Sequence, residues 1–209
     1  MKKLLHIISA PREDESRTLK VSRAFLDAFT ATHLDWVMEE LDLFKVELPS
    51  LAQKRADGRY MLLDGKDIFG ELRETWDDII AHIERFKSAD GYLISAPMWN
   101  FSIPYALKQY IDIIVQPRHL FRYTEKGMVE GLVTGRKMVV ITSRGGQYMA
   151  PDERPWDFQE PYLRTIFSFV GITDITFVIA QPMDTSNAEL KARRLEEARS
   201  YSKVVAQNF

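Results

Sequence analysis

No cysteine occurs among the 209 residues, which excludes disulfides, thiolate metal sites, cysteine nucleophiles and dithiol redox chemistry together. Any redox function must come from a bound cofactor. An excess of one charge is also lacking: 28 basic against 30 acidic residues leave a formal charge of -2, which gives no field to draw nucleic acid or anionic lipid. Small neutral or amphipathic ligands fit better. No segment approaches the roughly 20 apolar residues needed to cross a bilayer. The start, Met1-Lys2-Lys3-Leu4-Leu5-His6-Ile7-Ile8, has too short an apolar run for a signal peptide and reads as a first strand. The expectation is a cytoplasmic protein with no membrane or nucleic-acid partner. Histidine is sparse, and His6, His33, His82 and His119 form no i,i+4 pair, so no metal site is expected.

What is present is an ordinary globular mixture, 45% hydrophobic and 28% charged, at a length that suits a single domain over residues 1–209. Short apolar runs rich in β-branched residues lie at Leu4–Ser9, Trp36–Leu41, Tyr92–Ser95, Met138–Thr142 and Thr176–Ile179. Each fits a strand buried on both faces. Helical spacing separates them, in Leu19, Phe25, Leu26 and Phe29, then Leu72, Trp76, Ile79, Ile83 and Phe86, then Leu107, Tyr110, Ile111 and Ile114. A Glu-, Ala-, Lys- and Arg-rich stretch from Asn187 predicts a mostly exposed C-terminal helix. Alternating strands and helices imply an α/β fold, a doubly wound five-stranded parallel sheet with helices on both faces, in flavodoxin-like order. Residues Glu47–Lys66 and Gln147–Pro161 match no regular element and read as functional loops, the second an aromatic wall or lid.

Ligands of such sheets collect at the carboxyl ends of the strands. Three segments there carry unusual residues. In the first, Ser16 reads as an N-cap and Thr18 adds a second hydroxyl; this is either plain capping or a phosphate cradle, with Arg12 or Arg17 offsetting Glu13, Asp14 and Glu15. In the second, Pro97 stops a strand, and Met98, Trp99 and Phe101 put apolar bulk on a rim. A flat aromatic ligand or a subunit contact would explain that bulk. Asn100 offers both a donor and an acceptor to a ring edge. The third, Ser143-Arg144-Gly145-Gly146, lets main-chain amides approach a ligand closely. Lys108 and Asp112 read as structural or surface residues rather than catalytic ones.

Several motifs in order, Ala96-Pro97-Met98-Trp99-Asn100-Phe101, Leu107-Lys108, Phe121-Arg122-Tyr123-Thr124-Glu125-Lys126-Gly127, Glu130 to Gly135, Ser143-Arg144-Gly145-Gly146 and Val170 to Asp174, carry a resemblance over nearly the whole chain. The sequence resembles the FMN-dependent NADH azoreductase and quinone reductase family. The resemblance implies a flavodoxin-like homodimer with FMN at the subunit interface, and a two-stroke, ping-pong passage of electrons from NADH or NADPH to quinones and azo compounds. It places Ser16, Arg17 and Thr18 at the phosphate, Pro97, Met98, Trp99, Asn100 and Phe101 along the ring, and Ser143, Arg144, Gly145 and Gly146 at its pyrimidine end. It gives Phe101, Tyr123, Tyr148 and Phe169 to the substrate slot. Thr18 stands where the family has a second Ser, and Ala10 where it has a Ser, so Ser9 receives no assignment. A one-electron carrier or an FMN-binding sensor would share the fold, and turnover with a quinone separates these from an enzyme.

Overall fold

In the computed structural model, which describes residues 1–209, five parallel strands alternate with helices. The sheet is built from β1 (Lys2–Ile8), β2 (Trp36–Asp42), β3 (Gly91–Ser95), β6 (Lys137–Ser143) and β7 (Asp174–Ala180), in the order β2-β1-β3-β6-β7. A two-stranded antiparallel hairpin, β4 (Phe121–Tyr123) and β5 (Val129–Gly131), interrupts the alternation. The helices are α1 (Arg17–Thr32), α2 (Lys54–Leu63), α3 (Glu71–Lys87), α4 (Tyr105–Ile114), α5 (Glu160–Phe169) and α6 (Ala188–Gln207). None is long and apolar enough to cross a membrane.

Strand periodicity decides which layer each side chain joins. Leu5, Ile7, Tyr92, Ile94, Met138 and Val140 point into one core with Trp76, Ile79, Ile83 and Phe86 of α3, Leu107 and Ile111 of α4, and Phe167 of α5. Their neighbours Leu4, Leu93, Val139 and Ile141 point the other way, onto Val21, Phe25 and Phe29 of α1 and Ala198 and Ala206 of α6. Every residue of β3 is buried, as the apolar run required.

Four expectations need correction. β7, one edge of the sheet, is only partly buried, with Thr176, Phe177 and Ile179 half-buried. Gln147–Pro161 contains a 3-10 turn at Arg154–Trp156 and the first residues of α5. β2 is not buried on both faces: it is the other sheet edge, Val37 and Met38 are exposed, and Glu39 and Glu40 keep the edge charged. Glu47–Lys66 is not wholly irregular, because α2 occupies Lys54–Leu63 within it. Glycine makes α2 possible: a Cβ at Gly58 would collide with the buried Trp76 ring, whose Nε1 donates to Arg55 O at 3.0 Å. The strand order reverses between β1 and β3, since the chain leaves β1 for β2 on one side and β3 lies on the other. Loops leaving those two strands therefore diverge and open a crevice at their carboxyl ends.

Candidate active site

Helix α1 starts in that crevice. Ser16 caps it, its Oγ accepting from Leu19 N at 3.2 Å, and the N–H groups of Arg17 and Thr18 donate to nothing within the chain. Ser16 and Arg17, with Arg12, Pro97, Ser143 and Gly145, line a cavity of about 200 Å³. Glu13 and Asp14 turn away from it, to Lys45 and Arg23, and line the neighbouring cavity instead. Those two carboxylates therefore do not oppose an anion at the helix start; the carboxylate that does line the cavity, Asp184, is paired with Arg17 at 2.9 Å. Thr18 departs from the expected pattern. Its side chain is fully buried, and Oγ1 lies 2.8 Å from Ser143 Oγ, so it ties α1 to the loop after β6 instead of lining the cavity.

The loop after β3 is anchored from both sides, by Met98 N donating to Ser143 O at 3.0 Å and by reciprocal 2.9 Å bonds between Trp99 and Ser102. That tight turn holds Asn100 and Phe101 at φ 46 and 67, a left-handed conformation that non-glycine residues rarely adopt. Their N–H groups are left without partners, as are those of Gly145 and Gly146. Trp99 leans on Phe44 and Tyr105, with ring centroids 6.1 and 6.2 Å away. Trp99 and Asn100 also border a cavity of about 470 Å³ with Tyr162, whose phenol is pushed up to about 12 by burial and so stays protonated.

Arg144 was expected beside a cofactor ring, but its guanidinium points into the protein. Only 2% of the side chain is exposed, Nη1 donates to Asp157 Oδ2 at 2.9 Å, and Nε donates to Gln159 Oε1 at 3.1 Å. Gln159 also accepts from Thr142 Oγ1 and donates to Ala96 O, so one buried amide joins the second and third loops. Gly145 supports the site by having no side chain: a Cβ would collide with the Asp184 carboxylate, which pairs with Arg17 at 2.9 Å. Asp157, Gln159 and Asp184 were missed from the sequence. Asp184 follows β7, and a fourth strand-end loop was a signal that was available. Lys108 and Asp112 pair with each other at 2.7 Å on α4, as surface residues do.

The four expected substrate residues form two separate groups within one chain. Phe101 meets Tyr148 edge-on at 6.4 Å and Trp156 at 5.4 Å, beside the loops described above. Tyr123 and Phe169 instead flank Phe121, at 5.8 and 4.6 Å. Helix α5 starts where Gln159 meets Thr142 near the end of β6, and runs ten residues, about 15 Å, toward the start of β7. Phe169 and the hairpin that packs on it lie at that far end, where Val133 N donates to Val170 O.

The geometry suits FMN. Ser16, the free N–H groups of the α1 start and Arg12, with Arg17 shared with Asp184, match a phosphate, while four further free main-chain donors and exposed aromatic faces match an acceptor-rich flat ring.

Residues 2–205 match the family described as Flavodoxin-like fold. The chain is 40% identical over 206 residues to an FMN-dependent NADH:quinone oxidoreductase of Nitratidesulfovibrio vulgaris, covering 95% of this chain and 97% of that one. It is 37% identical over 212 residues to a protein of the same name from Clostridium beijerinckii, covering 100% of both. Among solved structures, an azoreductase from Bacillus anthracis superposes with a TM-score of 0.90 at 25% identity and full coverage of both chains. An FMN-dependent NADH-azoreductase from the same species, solved in complex with FMN, gives 0.84 at 29% identity, covering 99% of this chain and 100% of the other. The chain belongs to the flavodoxin-like-fold family, and within it to the FMN-dependent NADH:quinone oxidoreductases.

Proposed function

We propose that this protein is a cytoplasmic, homodimeric, single-domain FMN-dependent oxidoreductase that passes electron pairs from NADH or NADPH to quinones and azo compounds. The observation that carries the reading is the convergence, at the strand-order reversal, of a free helix start with the unpartnered N–H groups of Asn100, Phe101, Gly145 and Gly146. A bound FMN would supply the two-electron chemistry, a hydride taken from the nicotinamide and passed on to the acceptor.

The chain's own residues bind and orient. Ser16 Oγ and the N–H groups of Arg17 and Thr18 hold the phosphate, and Arg12 and Arg17 neutralise it. Pro97, Met98, Trp99 and Phe101 flank the ring and keep water from it. Asn100 and the amides of Gly145 and Gly146 donate to the ring edge, where main-chain dipoles stabilise developing negative charge. Ser143 and Arg144 act from behind, fixing that loop to Thr18, Asp157 and Gln159.

Phe101 and Tyr148 form one side of a slot for nicotinamide and acceptor. Tyr123 and Phe169 lie too far along α5 to close it in the same subunit, so a second copy supplies them. One slot shared by donor and acceptor forces the first product out before the second substrate enters. Initial-rate plots at varied quinone should then be parallel, with excess quinone competing against NADH. Intersecting lines would defeat the single slot.

A further inference from the structure

A cavity of about 800 Å³ lies around the β7 edge between α5 and α6, and borders the site described above through Arg144 and Tyr148. Its volume falls within the roughly 300–1,000 Å³ of small-molecule pockets. Phe177 and Ile179 of β7 contribute apolar wall, and Tyr148 and Tyr201 contribute aromatic wall with polar tips.

Its charges do not cancel. Arg144 pairs with Asp157 at 2.9 Å, Arg164 with Glu160 at 2.8 Å and Arg194 with Glu197 at 2.8 Å. Arg154 also borders the cavity and has no acidic partner. Polar satisfaction is incomplete at the same place. Of the eight buried side-chain polar atoms without a hydrogen-bond partner, Arg144 Nη2, Gln181 Oε1 and Arg194 Nε belong to residues lining this cavity. Buried polar groups seldom go unpaired, and two of these three are cationic donors. The Arg144 side chain is 2% exposed, and the only carboxylate near Nη2 is Glu160 at 3.9 Å, beyond hydrogen-bond distance.

We infer that this cavity is a second binding site, distinct from the flavin slot, for a planar aromatic compound carrying one anionic group. The ring lies against Phe177, Ile179 and the two tyrosines, and the carboxylate or sulfonate meets Arg154. Arg154 is exposed at the rim of the cavity, so a neutral aromatic would gain nothing from it, and a dianion would meet Glu160 and Glu197. Arg144 lines both this cavity and the one at the α1 start, and Tyr148 stands between this cavity and Phe101, so the two sites share a wall.

The test is calorimetric titration of the FMN-loaded protein with naphthalenesulfonate, with naphthol as the neutral control and the visible flavin spectrum followed in parallel. The expected result is saturable binding of the sulfonate, at least tenfold weaker binding of naphthol, and no change in the flavin spectrum. Arg154→Ala should weaken the sulfonate about tenfold, the loss of one charge-assisted bond, while Glu197→Gln, which removes a competing negative charge, should strengthen it severalfold. Absence of binding, binding unchanged in Arg154→Ala, or binding that perturbs the flavin spectrum would each overturn the assignment, the last by placing the probe in the slot.

Discussion

At the scale of single residues, two hydroxyls that look equivalent in sequence have different work. Ser16 lines the cavity proposed for the phosphate and caps α1, whereas the Thr18 hydroxyl is committed to Ser143. Ser16→Ala should lower stability by about 0.5–2 kcal/mol, the cost of a lost cap, and should weaken FMN more than riboflavin in paired titrations. Thr18→Val should weaken both alike, because it loosens the loop without removing a phosphate contact. Arg144 is a positioning residue: replacing it by Met leaves Asp157, only 11% exposed, without its counter-ion, a loss worth about 3–5 kcal/mol in urea unfolding. Away from the site, Glu39 is raised by burial but lowered further by hydrogen bonds and charge from Lys3 and Arg85, with a net fall below its ordinary 4.5. A carboxylate with a depressed folded-state pKa stabilises fully above its unfolded value and loses that contribution as pH falls through the folded one. Glu39→Gln should therefore flatten the acid limb of the stability curve below about 4.5 and leave its slope near neutrality unchanged. An unaltered acid limb would show that the pair contributes nothing.

At the scale of elements, Gly58 sets the approach of α2 to α3. Alanine is the better helix former, yet Gly58→Ala should destabilise by about 1–3 kcal/mol through overpacking against Trp76, and a rise in melting temperature would contradict this packing account. The same helix shows why part of the fold was hidden from sequence. Its N-cap is Gln53 at φ 56 with no capping bond, and Gly58 sits at its middle, so neither start signal nor propensity marks it. The hairpin was hidden because its strands are three residues each and owe their place to contacts with Val170 and Gly171. By contrast, β1, β3 and β6 were legible because burial on both faces demands unbroken apolar runs. The candidate site divides in the same way. Its three loops follow readable strands, but the inward turn of Arg144 depends on Asp157 and Gln159, and the Arg17–Asp184 pair joins residues 167 positions apart. No local pattern encodes such a contact.

At the scale of the whole molecule, the proposed second subunit rests on the two aromatic groups being separated by the length of α5. Tyr123→Ala should leave FMN affinity unchanged and raise the KM for quinone, because Tyr123 lies away from the cofactor loops of its own chain. Sedimentation of the active species should give a dimer, and a fully active monomer would remove the shared slot while leaving FMN binding intact. The central claim, electron transfer from a nicotinamide to a quinone through a flavin held by the three loops, is tested most directly by two anaerobic additions to the FMN-loaded protein. The account predicts that one equivalent of NADH abolishes the yellow flavin absorbance and that subsequent benzoquinone restores it, with hydroquinone formed in step. An absorbance that NADH leaves intact, or that benzoquinone fails to restore, would contradict it.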